Sequence, residues 1–362
     1  KATMHFQGKP VGTQFKASLE PGKAYEIRVD LPRLESIAAN PGGAPGKKPG
    51  MVTQFLRTLA RHRRRRRHLA GMPFSLSLQW RMPPAAGDPA FPREVAAAKQ
   101  ADVVIACLGL GLGYEREGLD KKSLEMPAEQ DELVKRLVAV NPNTVAVMVT
   151  GSPLSFPWIA EHVPSILLAW YPGERGGDAI ADIIAGDENP SGRLPMTFYR
   201  STDQLPPFDE YDITKGKTYW YFQGAPLYPF GFGLSYTTFE YDDLRVNKEK
   251  YGIGDTMTIQ VRVKNSGDRL GDEVVQVYTR YVSASGAARA NERLPLRQLK
   301  GFSRVHLRPG EQKDVSIDIP VQRLELYDEA TSCFVVLAGD IEIMVGSSSK
   351  DIKVSRQVNI AC

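Results

Sequence analysis

Residues 103 to 127, VVIACLGLGLGYEREGLDKKSLEMP, decide how this chain is read. The stretch opens as an apolar run that ends in glycines, the pattern of a buried parallel strand emptying into a loop. That loop carries four acidic residues, Glu115, Glu117, Asp120 and Glu125, before a helix begins. Loops at the carboxyl ends of parallel strands are where sites form. Glu115 and Glu117 stand two apart beside glycines, on backbone free enough to be aimed at a partner surface. The plainer reading is a solvated acidic loop, and the rest of the chain has to decide between the two.

Outward from this stretch the chain keeps alternating. PREVAAAKQAD at 92 to 102 is alanine-rich helix, and PAEQDELVKRLVAVNP at 127 to 142 is amphipathic, with Leu133, Leu137 and Val140 on one stripe. TVAVMVTG at 144 to 151 and SILLAWYPG at 165 to 173 read as further buried strands, SFPWIAEHV as a short helix, and GGDAIADIIAGDENP as a helix stopped by Gly186. Strands alternating with helices predict an α/β sandwich domain over 91 to 200, its mostly parallel sheet covered on both faces. Its strand ends are then GLGLGYEREGLD at 109 to 120, TGSP at 150 to 153 and WYPGERGG at 170 to 177.

The flanks differ in kind. Residues 1 to 90 read as part of a β-sandwich module, with Tyr25, Ile27 and Val29 alternating in one strand and FSLSLQWRM at 74 to 82 in another. An aperiodic stretch from about 33 to 73 interrupts it. From 201 to 245 the chain is rich in aromatics, Pro and Gly without a period, which predicts a connector burying its rings against other domains. If the chain stands without a further domain, some of that aromatic area is exposed. Residues 246 to 346 alternate with period two between Asn-Ser-Gly and Arg-Pro-Gly turns, the pattern of an immunoglobulin-like β-sandwich, and 347 to 362 read as a tail.

Composition narrows the function. Among 362 residues, 46 basic ones face 42 acidic ones, and six of the arginines lie in the single run RHRRRRR at 61 to 67. Without that run the acidic side leads by two, so the basic balance is local. The run has no interleaved aromatics, recognition helix or zinc spacing, which argues against nucleic-acid binding and for a solvated insertion or a corrupted stretch of reading frame. No apolar run of eighteen residues exists to span a membrane, and KATMHFQGKP has no apolar signal core, so localisation is not written at this end. Cys107, Cys333 and Cys362 lie far apart; Cys107, on an apolar strand, is expected to behave as a small hydrophobe, and neither a disulfide scaffold nor a metal site is expected.

Familiar chemistries fit poorly at the strand ends. The series Gly109, Gly111, Gly113 departs from a dinucleotide fingerprint and runs into acidic residues that would repel a pyrophosphate, so no cofactor is expected. Ser152 and Ser155 lack a triad order or a nucleophile elbow. The five histidines do not cluster with carboxylates at metal spacing, and His162 reads as structural. Glycoside cleavage suits the residues better. It needs one acid to protonate the departing oxygen and a second carboxylate at the anomeric carbon, about 5 Å apart in retaining enzymes.

EREGLDKKSLEMPAEQDELV at 115 to 134, TGSP at 150 to 153, AWYPGERGGDAIADIIAGDENPSGRLPMTF at 169 to 198 and PLYPFGFGLSYTTF at 226 to 239 occur in that order. Together they resemble glycoside hydrolase family 3, the β-glucosidase and β-xylosidase family, over about 91 to 346. The resemblance implies a catalytic (β/α)8 barrel, an α/β sandwich and a fibronectin type III-like domain. A protective-antigen-type β module is often inserted into the α/β sandwich, and residues 1 to 31 with 74 to 82 look like its tail. Nothing in this sequence corresponds to the barrel or to its aspartate nucleophile, so a barrel is expected upstream or in trans.

The resemblance places the general acid/base in a glutamate-glycine motif, matched by Glu117-Gly118-x-Asp120. Glu117 is the first choice and Glu115 the second. A general acid must keep its proton near neutral pH, and Glu115 and Asp120 would supply the neighbouring charge that raises its pKa. Trp170, Tyr171, Glu174 and Arg175 are expected to line an outer sugar site. The plainer alternative is that Trp170 is core and Glu174 pairs with Arg175. The expected substrate is an oligosaccharide or aryl β-glycoside; the competing expectation is a non-catalytic carbohydrate-associated or scaffold module.

Overall fold

A computed structural model describes residues 3–6, 9–11, 27–30, 91–111, 113–115, 117–118, 121–284, 294–328 and 331–361. The expectations for the 33 to 73 insertion, the arginine run and the strand at 74 to 82 therefore fall outside the described residues, as do those for Asp120 and Cys362.

The chain divides into two compact units, Lys1–Pro83 and Pro84–Cys362. In the first, β1 (Thr3–Phe6), β2 (Lys9–Val11) and β3 (Ile27–Asp30) form an antiparallel sheet in the order β2-β1-β3. The strand expected around Ile27 and Val29 is β3.

The second unit opens with α1 (Pro92–Gln100), started by a proline whose missing N–H costs nothing in a first turn. Then come β4 (Val104–Gly109), α2 (Ala128–Val140), β5 (Thr144–Val149), α3 (Pro157–His162), β6 (Ser165–Leu168) and α4 (Gly176–Ala185). Strands β4, β5 and β6 pair parallel in sequence order, with Val104 opposite Thr144 and Val145 opposite Ser165. Side chains alternate across a strand. Thus Ala106 and Leu108 of β4 and Ala146 and Met148 of β5 point one way, into a core shared with Ala98 of α1, Val134 and Leu137 of α2 and Ile159 of α3. The buried stripe of α2 centres on Val134 and Leu137, with Leu133 and Val140 at its margins.

The other face corrects two expectations. Burial on both faces fails at β4, where Ile105 is 50% exposed. Cys107, on the same face, is an exposed free thiol rather than a buried hydrophobe. Both side chains are open to solvent, although Val147 on the neighbouring strand is fully buried.

The β-sandwich begins earlier and ends later than its turn signals predict. One sheet runs β12 (Gln312–Pro320), β9 (Thr256–Asn265), β7 (Phe239–Val246). The other runs β11 (Gln298–Leu307), β10 (Gly271–Tyr281), β15 (Gly339–Gly346), β16 (Ile352–Ala361), β8 (Lys250–Gly252). A hairpin of β13 (Leu326–Asp328) and β14 (Cys333–Val335) stands beside them. Alternate residues of both sheets, such as Met257, Val263, Val275, Val277, Ile319, Ile341 and Ile343, fill the core between them. Residues 347 to 361 are not a tail: β16 pairs along the length of β15 and sends Val358 and Ile360 into that core.

The aromatic connector joins the α/β part to the sandwich. Tyr219 stacks on Phe230 at 4.1 Å and meets Tyr278 of β10 edge-on at 6.1 Å. Its hydroxyl accepts from the Leu299 amide at 3.0 Å. A buried ion pair does the same work: Arg193 donates through Nη2 to both oxygens of Glu273 on β10, at 3.1 and 3.2 Å. Not all the rings are covered, since Phe208 and Tyr211 are 82% and 84% exposed.

Candidate active site

The three parallel strands end at one edge, and their loops meet there as the alternation predicts. β4 leaves the sheet through Gly109, whose φ of 140° no other residue type adopts readily. A side chain there would strike the backbone, because an added Cβ would lie 1.7 Å from the Val149 carbonyl oxygen. The Gln130 carboxamide on α2 then seals the end of β4, accepting from the Gly109 N–H and donating to the Gly109 carbonyl, both at 2.8 Å.

Beyond this exit the acidic loop separates its carboxylates sharply. Glu115 folds back over the ends of the neighbouring strands. Its Oε1 accepts from the Gly151 N–H and the Tyr171 hydroxyl, each at 2.5 Å, and the Thr150 hydroxyl stands 3.4 Å away. Its Oε2 accepts from the Ser152 hydroxyl, and Lys121 Nζ stands 4.0 Å off. Burial would raise the Glu115 pKa, but the bonds from Ser152, Tyr171 and Gly151, with the Lys121 charge, outweigh it and hold the carboxyl below its ordinary value. The same bond raises the Tyr171 phenol, since a hydroxyl that donates to a carboxylate resists ionisation. Gly151 is required by this approach, because a Cβ there would sit 2.5 Å from the Tyr171 ring.

Glu125 is also engaged, accepting from the Thr202 amide at 3.0 Å and the Thr202 hydroxyl at 2.8 Å. Lys121 donates to the Pro153 carbonyl at 2.6 Å, tying the returning limb of the loop to the TGSP turn. Glu117 is different. It stands exposed on a turn with Gly118, at φ 73°, and makes no hydrogen bond or ion pair with the described residues.

The four residues expected at an outer sugar site divide. Trp170 is half-buried at φ 54°, its ring packed into the α/β core and edge-on to Phe198 at 6.1 Å. Tyr171 is 52% exposed and reaches Glu115 and, at 3.2 Å, the Leu110 carbonyl. Glu174 is exposed, and Arg175 pairs with Asp178 at 2.8 Å rather than with Glu174. Sequence reasoning did not find Ser152, Lys121 and Gln130 as loop anchors. The sequence reads Ser152 only as a candidate nucleophile, and the sole signal for its anchoring contact is its place in TGSP at a strand end. His162 stacks on Trp158 at 4.4 Å on the short α3. Among the described residues no group of three or more His, Cys, Asp or Glu is arranged to hold a metal ion. No helix among them is long and apolar enough to cross a membrane.

The profile of the Glycosyl hydrolase family 3 C-terminal domain matches residues 17–236, reaching further toward the N-terminus than the motifs do. A Fibronectin type III-like domain profile matches residues 273–349. The chain is 40% identical over 264 residues to a β-xylosidase from Formosa agariphila, covering 72% of this chain and 36% of that protein. It is 35% identical over 276 residues to thermostable β-glucosidase B from Acetivibrio thermocellus, covering 73% and 36%. A crystal structure of a β-glucosidase from Kluyveromyces marxianus in complex with glucose superposes with TM-score 0.69 at 26% identity, covering all of this chain and 41% of that one. A β-glucosidase structure from Erythrobacter marinus gives TM-score 0.65 at 38% identity, covering 74% and 35%. The chain thus spans about a third of the length of the curated relatives it matches. A family profile extending over more than half its length, in a fold that carries the same strand-end motifs, identifies the chain as a member of glycosyl hydrolase family 3.

Proposed function

We propose that this chain is the acid/base-bearing part of an exo-acting, retaining β-glycosidase, with Glu117 as the general acid/base. The observation that carries the reading is the division of labour in the acidic loop: Glu115 has its acceptor sites filled by donors from two other strand ends, while Glu117 is exposed and unpartnered among the described residues. A carboxylate held ionised by several donors is a poor proton donor at neutral pH, which favours Glu117 over Glu115. The barrel of the family architecture is the candidate for the surface that covers Glu117 in the working enzyme.

In this mechanism Glu117 gives its proton to the glycosidic oxygen as the bond from that oxygen to the anomeric carbon breaks. A carboxylate of the barrel takes the anomeric carbon into a covalent intermediate. The ionised Glu117 then accepts a proton from water as that water attacks the same carbon, releasing the sugar and restoring the acid. The substrate class is a terminal β-D-glucoside or β-D-xyloside, as an oligosaccharide or aryl glycoside. Tyr171, Glu174 and Arg175 are exposed at the adjoining strand end and are the candidates for outer sugar contacts; the Trp170 ring is turned into the core.

The competing reading is a carbohydrate-associated or scaffold module that does no chemistry alone. Hydrolysis of an aryl β-glucoside separates the two. The catalytic reading predicts no turnover by the chain alone and turnover when a barrel domain is supplied. Persistent inactivity with a folded, bound barrel would favour the module.

A further inference from the structure

We propose that Glu115 is a positioning residue whose carboxylate clamps the acidic loop onto the ends of β5 and β6 and thereby fixes where the Glu117–Gly118 turn stands. Its functional meaning rests on the reading of Glu117 above; the clamp itself rests on contacts alone. The loop leaves β4 through a run of glycines and needs an anchor before it returns to α2. Glu115 provides one two residues before Glu117. Two residues of chain span about 7 Å at most, so a shift at Glu115 passes to Glu117 with little room to be absorbed.

Three separate pieces of chain supply the donors. Gly151 and Ser152 come from the loop after β5, Tyr171 from the loop after β6, and Lys121 from the returning limb of the acidic loop itself. Both carboxylate oxygens are used, Oε1 by Gly151 and Tyr171 and Oε2 by Ser152, which fixes the orientation of the group as well as its place. An ionised carboxyl accepts on both oxygens with no proton of its own to place. A protonated glutamic acid or a glutamine would place a donor on the Ser152 side, which Ser152 can meet only by turning its own hydroxyl round, and would lose the charge that Lys121 faces. Among the described residues, Tyr171 and Lys121 are the titratable groups that face Glu115; Thr150, Gly151 and Ser152 do not titrate. Because the folded-state pKa of Glu115 is depressed, the clamp is fully closed above the ordinary glutamate value and opens as pH falls through the depressed one.

Hydrogen exchange on the whole chain tests the clamp without requiring hydrolysis. At neutral pH, Glu115→Ala is expected to speed exchange of amides in 110–122 and 150–153 by about tenfold or more, leaving sandwich peptides from 256 to 281 unchanged. Glu115→Gln, which keeps one acceptor, should fall between the wild type and Glu115→Ala. The ratio between wild type and Glu115→Ala should collapse toward one as the pH drops through the Glu115 titration. A second signature is spectroscopic. Tyr171 ionisation, isolated as the ultraviolet difference between the wild type and Tyr171→Phe, should move down toward that of an ordinary tyrosine when Glu115 is replaced by Ala.

If Glu115→Ala loosens the sandwich peptides as well, Ser152→Ala and Tyr171→Phe each remove one contact and should each loosen 110–122 alone. Unchanged loop exchange in all three variants, full protection in Glu115→Gln, or a Tyr171 titration indifferent to Glu115 would overturn the proposal. These readouts are independent of activity, so failure of Glu117 as acid/base would leave them standing, and the reverse holds.

Discussion

Replacing Glu273 with Gln isolates the charge at the buried join between the α/β part and the sandwich. Arg193 and Glu273 are 9% and 4% exposed at their side chains, and the guanidinium meets both carboxylate oxygens. Glu273→Gln keeps the shape and leaves the Arg193 charge buried without a counter-charge. Breaking a buried pair from one side costs about 3–5 kcal/mol. Here the lower end applies, about 3 kcal/mol, because the amide oxygen still accepts one guanidinium bond. At about 2–4 °C per kcal/mol for a unit of this size, the melting temperature should fall by roughly 6–12 °C. The double variant Arg193→Met with Glu273→Leu removes both charges, and should lie within about 1 kcal/mol of the wild type. The assay is denaturant unfolding, followed by circular dichroism, of Glu273→Gln and of the cycle formed by the wild type, Arg193→Met, Glu273→Leu and their double variant. Additive single effects, or a loss under about 1 kcal/mol in Glu273→Gln, would refute the reasoning, because both mean that the charges do not depend on each other.

Two further outcomes follow from packing. Gly109→Ala places a Cβ 1.7 Å from the Val149 carbonyl oxygen in a backbone region that side chains avoid; it should cost about 3 kcal/mol or more in urea unfolding and speed exchange at the β4 exit before it affects the sandwich. Asn265, fully buried, donates to the Arg269 and Leu307 carbonyls at 2.7 and 3.0 Å and accepts from Thr237 Oγ1 and the Gly267 amide; Asn265→Ala should destabilise by about 2–4 kcal/mol, and a midpoint within about 0.5 kcal/mol of the wild type would contradict it.

The elements of the α/β part were legible because their signals are local. VVIACLG is an apolar run closed by glycine, GGDAIADIIA is stopped by Gly186, and each became the expected strand or helix. The state of Cys107 was not legible, since its strand is apolar throughout and only the arrangement of covering elements decides which face is wet. Strand β16 does not stand out in the sequence because its alternation of Ile352, Val354, Val358 and Ile360 is broken at Arg356, which falls on the same face but is exposed and pairs with Glu249. The roles of Glu115 and Glu117 were not separable from the sequence. The donors that claim Glu115 lie 36 to 56 residues along the chain and arrive only through the parallel register of β4, β5 and β6. Motif resemblance brings this loop forward, and contact geometry gives its two glutamates different surroundings.

The most direct test of Glu117 as acid/base is leaving-group kinetics in the enzyme completed by its barrel. Glu117→Ala is predicted to lower kcat/KM by about 10²–10⁴ for alkyl and sugar leaving groups, and far less for activated aryl glycosides that depart without a proton. Added azide should partly restore turnover of those activated substrates by attacking the glycosyl-enzyme without base assistance. Activity in Glu117→Ala close to the wild type across the leaving-group series, or azide rescue seen in Glu115→Ala and not in Glu117→Ala, would contradict the account.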